Sequence, residues 1–167
     1  WDVAFTPVSP ARAQARKFTA LHLEVDFGYL IPAGSPISTM AEVDRRGIRV
    51  AVAERTLPDT FFSQALKDSV VVRASNNAGA LEMLKSGSVD VIGSLKPALF
   101  EMSDQLLGSR VLDGRPGIDS HAMAMPKGRD LGMAYARKFI EDAKSEGLVK
   151  AAIERGGLRG TVVAPLE

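Results

Sequence analysis

An arginine in a polar turn is the first residue in this sequence that could do chemistry. Arg12 follows Thr6 and Ser9 in the stretch TPVSPAR, directly after the short apolar run Val3–Thr6, which predicts a strand. In α/β sheets, ligand sites lie beyond strand ends, and a planar guanidinium binds a carboxylate through two parallel hydrogen bonds. The sequence therefore predicts a carboxylate site at Arg12, with Thr6 and Ser9 as hydroxyl partners. The alternative is a solvated Arg12 and hydroxyls that satisfy only the turn's own backbone.

A second candidate follows the apolar strand IRVAVA, where Arg55 and Thr56 precede a helix predicted to start near Pro58. The free N–H groups at a helix N-terminus bind anions. Arg55 is equally well interpreted as a surface charge. His22 and His121 have no acidic cluster nearby, so they form a poor metal site. We expect surface histidines and no bound metal.

The composition narrows the class of protein. The chain has 167 residues, 46% of them hydrophobic, no cysteine and a formal net charge of +1. Disulfide and thiolate chemistry are excluded, and the charge gives no reason to expect nucleic acid as a partner. Because Trp1 is not a natural start residue, we expect a processed or truncated chain whose upstream part carried any signal peptide, since removed.

Predicted strands and helices alternate along the chain, which favours an α/β fold with a mostly parallel sheet. The extended segments Leu21–Leu30 and Ala122–Met125 flank this alternating block, so we expect the chain to cross twice between two lobes. In the first of these segments, polar residues that include His22 and Asp26 alternate with apolar ones, which predicts a half-buried strand. The last long helix is predicted over residues 130–146. Its expected apolar face comprises Leu131, Tyr135, Phe139 and Ala143.

Four segments in this order resemble the family 3 extracellular solute-binding proteins, the receptors of amino-acid-type ABC importers. They are DVAFTPVSPARAQARKFT, YLIPAGSPISTMAEVDRRGIRVAVAERT, ALEMLKSGSVDVIGSLKPAL and AMAMPKGRDLGMAYARKFIEDAKSEGLVKAAIERGG. The resemblance implies the periplasmic-binding-protein-like II fold, with two lobes joined by two hinge crossings. Residues 1–30 and 122–167 would form a discontinuous first lobe, incomplete through N-terminal truncation, and residues 31–121 an inserted second lobe.

The resemblance also assigns roles to residues at the two candidate sites. Arg12 occupies the position of the arginine that grips the ligand carboxylate, flanked by Thr6 and Ser9. Pro7 stands where the family often has a hydroxyl residue and can offer only its carbonyl. Arg55 and Thr56 lie where the family's Gly-Thr-Thr binds the carboxylate.

A departure from the family pattern concerns the ligand's ammonium group. Leu95 stands where amino-acid receptors tend to have an aspartate, between the binding candidates Ser94 and Lys96. A buried ammonium without an anionic partner is costly. With Arg12, Arg55 and Lys96 the predicted pocket is electropositive, which favours a small carboxylate or another anionic solute over a standard α-amino acid. Lys96 could equally be an exposed helix start.

The function implied is that of a periplasmic, substrate-binding component of an ABC importer. It would close two lobes around a small carboxylate-bearing or amino-acid-like solute and dock on a membrane permease. We expect no catalysis and no cofactor. The alternatives are an enzyme such as a cyclohexadienyl or arogenate dehydratase, with Glu54 or Asp59 as the acid, or the sensor domain of a membrane receptor. The incomplete first lobe predicts either a homodimer of this chain or a missing partner segment.

Overall fold

The chain packs into two compact units, and the computed structural model describes residues 2–167. Among the described residues, the first unit comprises 2–25 and 118–167, and the second comprises 26–117. The sequence predicts the boundaries between the lobes after residues 30 and 121. The structure has them after residues 25 and 117, five and four residues earlier. The assignment of lobes to the segments stays a prediction. Trp1, on which the expectation of truncation rests, lies outside the described residues.

The first unit is a small antiparallel sheet with one 16-residue helix and two shorter ones. Strand β1 (Ala4–Pro7) pairs antiparallel with β7 (Ile118–Pro126), with Phe5 opposite Met123. Strand β8 (Thr161–Val163) pairs antiparallel with β2 (Arg16–Ile31), with Glu24 opposite Val162. β7 also neighbours β2. The elements of this unit are β1 (Ala4–Pro7), α1 (Pro10–Ala15), the first part of β2 (Arg16–Ile31), β7 (Ile118–Pro126), α5 (Asp130–Ser145), α6 (Leu148–Arg155) and β8 (Thr161–Val163).

The second unit is a mixed sheet in the order β2, β5 (Val91–Leu95), β3 (Arg49–Ala53) and β4 (Val70–Ala74), with β6 (Arg110–Val111) also paired to β2. β3 is parallel to β4 and β5, whereas β2 is antiparallel to β5 and β6. The α/β fold is therefore confirmed, and the mostly parallel sheet is wrong. Consecutive strands β3, β4 and β5 are linked by helical crossovers, which parallel pairing requires. The elements, besides the end of β2, are a 3-10 turn (Met40–Glu42), β3 (Arg49–Ala53), α2 (Leu57–Ala65), β4 (Val70–Ala74), α3 (Asn77–Lys85), β5 (Val91–Leu95), α4 (Lys96–Asp104) and β6 (Arg110–Val111).

Both faces of the second unit's sheet are buried. Successive residues of β3 point to opposite faces, so Val50 and Val52 pack with Phe62 of α2, and Ala51 packs with Leu81 of α3. Val50, Ala51 and Val52 are all fully inaccessible. A strand covered on both sides has a continuous apolar sequence, which is what the run IRVAVA predicts.

Polar side chains fix where several elements begin. Asn76 caps α3 through Oδ1, which accepts a hydrogen bond from the Gly79 N–H at 2.8 Å. Asp90 accepts two hydrogen bonds from the Arg49 guanidinium, at 2.9 and 2.8 Å, and a third from the Arg49 N–H. This ion pair joins the starts of β3 and β5, and β5 begins directly after Asp90, at Val91.

Two predictions about buried faces are wrong. In α5 the buried side chains are Met133, Ala136, Ile140, Ala143 and Lys144, whereas Leu131, Tyr135 and Phe139 are exposed. Apolar residues occur on two sides of this helix, and only the side that meets Met123 and Met125 of β7 forms the core. In β2, His22 and Asp26 are buried despite being polar.

Strand β8 is absent from the sequence prediction, although its three residues, Thr161-Val162-Val163, are all β-branched. Within residues 2–167, every helix is too short or too polar to cross a membrane.

Candidate functional site

The seven predicted binding residues divide between the two units. Thr6, Ser9 and Arg12 belong to the first unit. The other four, Arg55, Thr56, Ser94 and Lys96, belong to the second.

In the first unit, Arg12 is tethered to the turn that carries it. Ser9 caps α1, and its Oγ accepts a hydrogen bond from the Arg12 N–H at 3.3 Å. The guanidinium is exposed, and its Nη1 donates to the Pro7 carbonyl at 3.0 Å. Thr6 lies one residue before Pro7 in β1, opposite Ala122. The turn therefore brings the three predicted side chains to one strand end, with Ser9 occupied as a helix cap.

In the second unit, the four predicted residues lie at one edge of the sheet. β3 and β5 are parallel neighbours, with Val50 opposite Val91. Because they run in the same direction, Arg55 and Thr56 after β3 lie at the same edge as Ser94 and Lys96 at the end of β5. This carboxyl edge is where ligands of open α/β sheets bind.

Asp59 holds the loop between β3 and α2 in place. Its carboxylate accepts hydrogen bonds from the Arg55 N–H at 3.0 Å, from Nε of Arg73 at 2.9 and 3.1 Å and from the Ser63 hydroxyl at 3.2 Å. Hydrogen bonding to Arg73 is the main reason why the pKa of Asp59 lies below its usual value. Arg55 adopts a left-handed conformation, with φ of 59°. Asp59 stabilises this turn through the Arg55 amide.

Thr56 starts α2 and already uses its hydroxyl. The Oγ1 donates to the Ala53 carbonyl at 2.6 Å and accepts from the Asp59 N–H at 3.3 Å. In the first turn of α2, Pro58 has no N–H and the Asp59 N–H donates to the Thr56 cap, so the Leu57 N–H is the one left without an intrahelical acceptor. It lies at the positive end of the helix dipole. An anion at this loop would therefore meet the Leu57 N–H rather than the Thr56 hydroxyl.

Lys96 forms part of a largely buried charge cluster. Its Nζ lies 3.4 Å from Oδ2 of Asp26, and both side chains are only 13% exposed. Nε of Arg115 donates to the other oxygen, Oδ1, at 2.7 Å. Lys96 is therefore not an exposed helix start. Two cations share one carboxylate, which leaves the cluster with a formal charge of +1.

The absence of a side chain at Gly28 leaves space for the Lys96 side chain. A Cβ at Gly28 would lie 3.0 Å from Cγ of Lys96. Gly28 also pairs directly with Ser94, which is buried in β5. The end of β2, the end of β5 and the start of α4 together position the cluster.

The sequence does not reveal Asp26 and Arg115 as the partners in the Lys96 cluster, nor Arg73 as the partner of Asp59. The alternation of β2 presents Asp26 as a polar residue of a half-buried strand, and Arg115 lies in a Gly- and Pro-containing loop that carries no signal. Asp59 stands out in the sequence only as a first-turn acid and as a candidate catalytic acid. Its partner Arg73 lies on the neighbouring strand β4, whose sequence VVVRA has no polar alternation that could indicate the pairing.

The two histidines lie in the first unit. His22 is buried, which contradicts its prediction as a surface residue, and burial lowers its pKa to about 4. Its ring centroid lies 6.4 Å from that of His121, whose Nε2 is 2.9 Å from Oδ2 of Asp119. Within residues 2–167, no group of three or more potential ligands is arranged to hold a metal ion.

Comparison with solved structures identifies the fold. A solute receptor for L-cysteine from Neisseria gonorrhoeae superposes with a TM-score of 0.69 and 24% identity over 92% of this chain. A putative ABC transporter binding component from Wolinella succinogenes, complexed with lysine, gives 0.77 and 16% over 93%. An ancestral amino acid-binding protein, a precursor of cyclohexadienyl dehydratase, gives 0.71 and 18% over 93%.

These neighbours are longer than this chain, which spans 63%, 69% and 68% of their respective lengths. No protein-family model matches the sequence. No curated protein matches it either. The structural similarity confirms the predicted class: the chain has the periplasmic-binding-protein-like fold. More particularly, the neighbours that share it include amino-acid-binding solute receptors of ABC transporters.

Proposed function

We propose that the protein is the substrate-binding component of an ABC importer and binds a small carboxylate-bearing solute. The observation that supports this most directly is the carboxyl edge of β3 and β5. There the N-terminus of α2 and the cluster of Lys96, Asp26 and Arg115 combine a helix dipole with an excess of positive charge. Anions bind at such helix ends. Membership of the family 3 solute-binding proteins, periplasmic location and docking on a membrane permease are part of the same proposal.

The ligand proposed is an anionic solute rather than a zwitterionic α-amino acid. Leu95 supplies no carboxylate at the position where the resemblance places one. Asp26, the acidic group beside Lys96, already has two cationic partners. A ligand ammonium would compete with Lys96 and Arg115 for the single carboxylate of Asp26. An anionic group of the ligand would instead meet a cluster whose net charge is positive.

Arg12 is the proposed grip on the ligand carboxylate, with Thr6 and Ser9 as its neighbours. In the unliganded chain its guanidinium donates to the neutral Pro7 carbonyl. A ligand carboxylate could replace this carbonyl as the acceptor and form a bidentate pair with the guanidinium. Each charge-assisted hydrogen bond of such a pair is roughly twice as strong as a neutral one. Arg55 and Thr56 would contribute through the α2 turn. Hinge closure around the ligand remains a prediction from the resemblance.

Binding is favoured over catalysis by the state of the candidate acid. A dehydratase needs a protonated general acid near the carboxylate grip. The pKa of Asp59 is lowered by Arg73, so this group stays ionised at neutral pH. Glu54, the other candidate, is exposed. We propose no cofactor for the function.

The experiment is a thermal-shift screen followed by calorimetry. Small mono- and dicarboxylates without an amino group are compared with neutral, acidic and basic α-amino acids. A ligand at 100 times its Kd should stabilise the fold by about 2.7 kcal/mol. We expect a carboxylate without an ammonium to give the largest shift. Tight binding of a neutral amino acid would refute the anionic preference, and turnover of prephenate or arogenate would refute the binding function.

Substitution of Arg12 tests the grip. Arg12→Gln should weaken the best ligand of the screen at least tenfold without lowering the stability of the unliganded protein. The matched control is Arg155→Gln, which changes another exposed arginine, on α6. Equal affinity in the two variants would contradict the role of Arg12.

A further inference from the structure

The ammonium group of Lys96 is buried with fewer acceptors than it has donors. Its side chain is 13% exposed, and within residues 2–167 it is hydrogen-bonded only to Oδ2 of Asp26, at 3.4 Å. That distance is longer than an ordinary hydrogen bond. The other oxygen of the same carboxylate accepts a shorter bond from Arg115, at 2.7 Å. Because an ammonium donates up to three hydrogen bonds, Lys96 can still bind an acceptor that does not belong to the chain.

A second polar group without a partner lies on the same face of the sheet. Ser94 is 5% exposed, and among the described residues its hydroxyl forms no hydrogen bond. Ser94 pairs directly with Gly28, so the Cβ positions of the two residues lie on one face, about 5 Å apart. The Lys96 side chain crosses the Gly28 position, with Cε 3.4 Å from where a Cβ would lie. Lys96 and Ser94 therefore form one small polar site, called the Lys96 site below.

The Lys96 site favours an anionic group with acceptor oxygens. An ammonium only donates hydrogen bonds, and a serine hydroxyl can donate one. Helix α4 begins at Lys96, and its N-cap residue Leu95 has no side-chain acceptor, so no cap offsets the positive end of the helix dipole. The buried Lys96 charge shares its carboxylate with Arg115, and a second anion would compensate it further. A ligand carboxylate supplies both the charge and the acceptor oxygens.

The start of α2 is a separate position for an anion in the same unit. Helix α2 packs on one face of the sheet through Phe62, whereas α4 packs on the other face through Leu99. The Leu57 N–H at the start of α2 and the Lys96 site therefore lie on opposite sides of one sheet edge. Two anionic groups fit these two positions better than a single carboxylate does.

We propose that the solute is a dicarboxylate, with one carboxylate at the Leu57 N–H of α2 and the other bound by Lys96 and Ser94. This inference rests on the function proposed above and specifies the class of its ligand. Lys96 is then the residue that selects a diacid over a monoacid. The monoamide of a diacid has nearly the same shape but brings a neutral group to the Lys96 site, where it leaves the ammonium charge uncompensated.

Calorimetry with matched pairs of ligands tests this proposal. Malonate, succinate, glutarate and adipate are each compared with their own monoamide. We expect one diacid to bind the wild-type chain about tenfold more tightly than its monoamide. Equal affinities, or tighter binding of a monocarboxylate, would overturn the dicarboxylate but leave the proposed function intact. If no carboxylate binds, the proposed function fails, and this inference fails with it.

Variants of the chain show whether the Lys96 site causes the preference. The quantity compared is the ratio of the monoamide Kd to the diacid Kd within each variant. Lys96→Met should reduce this ratio from about ten to about one, and Ser94→Ala should reduce it in part. The matched control is Lys85→Met, at the far end of α3, where the lysine pairs with Glu82 at 2.9 Å. It should retain the wild-type ratio.

An unchanged ratio in Lys96→Met would overturn the role of Lys96, whatever the affinity of the diacid itself. Circular dichroism verifies that each variant is folded. Ser94→Ala removes a single hydroxyl and leaves the ion pair of Lys96 and Asp26 in place, so it decides the question even if Lys96→Met does not fold. In that case, a wild-type ratio in Ser94→Ala would overturn the proposal.

Discussion

The Nζ atom of Lys96 lies 3.4 Å from Oδ2 of Asp26, and the same carboxylate accepts a hydrogen bond from Arg115 at 2.7 Å. Asp26 is therefore the shared partner of two cations, one of which is largely buried. Removal of one member of a buried ion pair costs more than the pair itself contributes, because the other charge is left without a partner. The loss of stability should therefore differ between substitution of the carboxylate, Asp26, and substitution of one cation, Lys96.

Asp26→Asn should destabilise the protein more than Lys96→Met. The first change leaves two cations without their carboxylate, and we expect a loss of about 3 kcal/mol in the free energy of unfolding. The second leaves Asp26 paired with Arg115, and we expect about 1 kcal/mol. Urea denaturation measures both. Equal losses, or a larger loss for Lys96→Met, would show that Asp26 is not the centre of the cluster.

Asp59 provides a test of the loop that carries Arg55 and Thr56. Asp59→Asn removes the charge that holds Arg73 and weakens the acceptor of the Arg55 N–H. We expect a loss of about 2 kcal/mol in stability and faster amide exchange at Arg55. Asp113→Asn, at an exposed aspartate of the same unit, should change neither quantity. Unchanged exchange at Arg55 in Asp59→Asn would mean that the turn is stable without this carboxylate.

Gly93 tests the packing beneath the same sheet edge. A Cβ at this position would lie 2.8 Å from two ring carbons of Phe62, which is fully buried. Gly93→Ala should therefore cost about 2 kcal/mol through overpacking. Phe62→Leu in the same background should recover part of that loss, and thermal unfolding of the four-member mutant cycle measures the coupling. Additive effects would show that Phe62 does not limit the space at Gly93.

The sequence predicts the elements that depend on local signals. The run IRVAVA identifies β3 because an inner strand buries both faces, and Thr56 and Asn76 mark helix starts because their side chains cap the first turn. The sequence also predicts the turn that joins Ser9 and Arg12, because Ser-Pro is a typical start of a helix. Each of these signals lies within a few residues of the strand or helix that it predicts.

The missed features depend on pairings between distant segments. Asp26 and Arg115 are 89 positions apart in the chain, so no local pattern joins them. The buried side of α5 is chosen by Met123 and Met125 on β7, and the sequence of α5 alone offers Leu131 and Tyr135 as an equally apolar side. β8 is only three residues long, too short to show a periodic pattern, and its position depends on its pairing with β2.

His22 should make the stability of the protein depend on pH between 7 and 5. Burial, together with His121 and Lys144, lowers its pKa in the folded protein to about 4, below the ordinary value of 6.5. Between these values the unfolded chain takes up a proton that the folded chain does not, so stability is present above pH 6.5 and falls as the pH decreases. From pH 7 to pH 5 we expect a loss of about 1–2 kcal/mol.

The measurement is urea denaturation at pH 7 and pH 5 in two variants, His121→Gln and His121→Gln/His22→Gln. The shared background removes the titration of the second histidine, and the pH window avoids that of most carboxylates. The single variant should lose stability on acidification, and the double variant should lose about 1–2 kcal/mol less. Equal losses in the two would show that His22 is accessible enough to titrate normally in the folded protein.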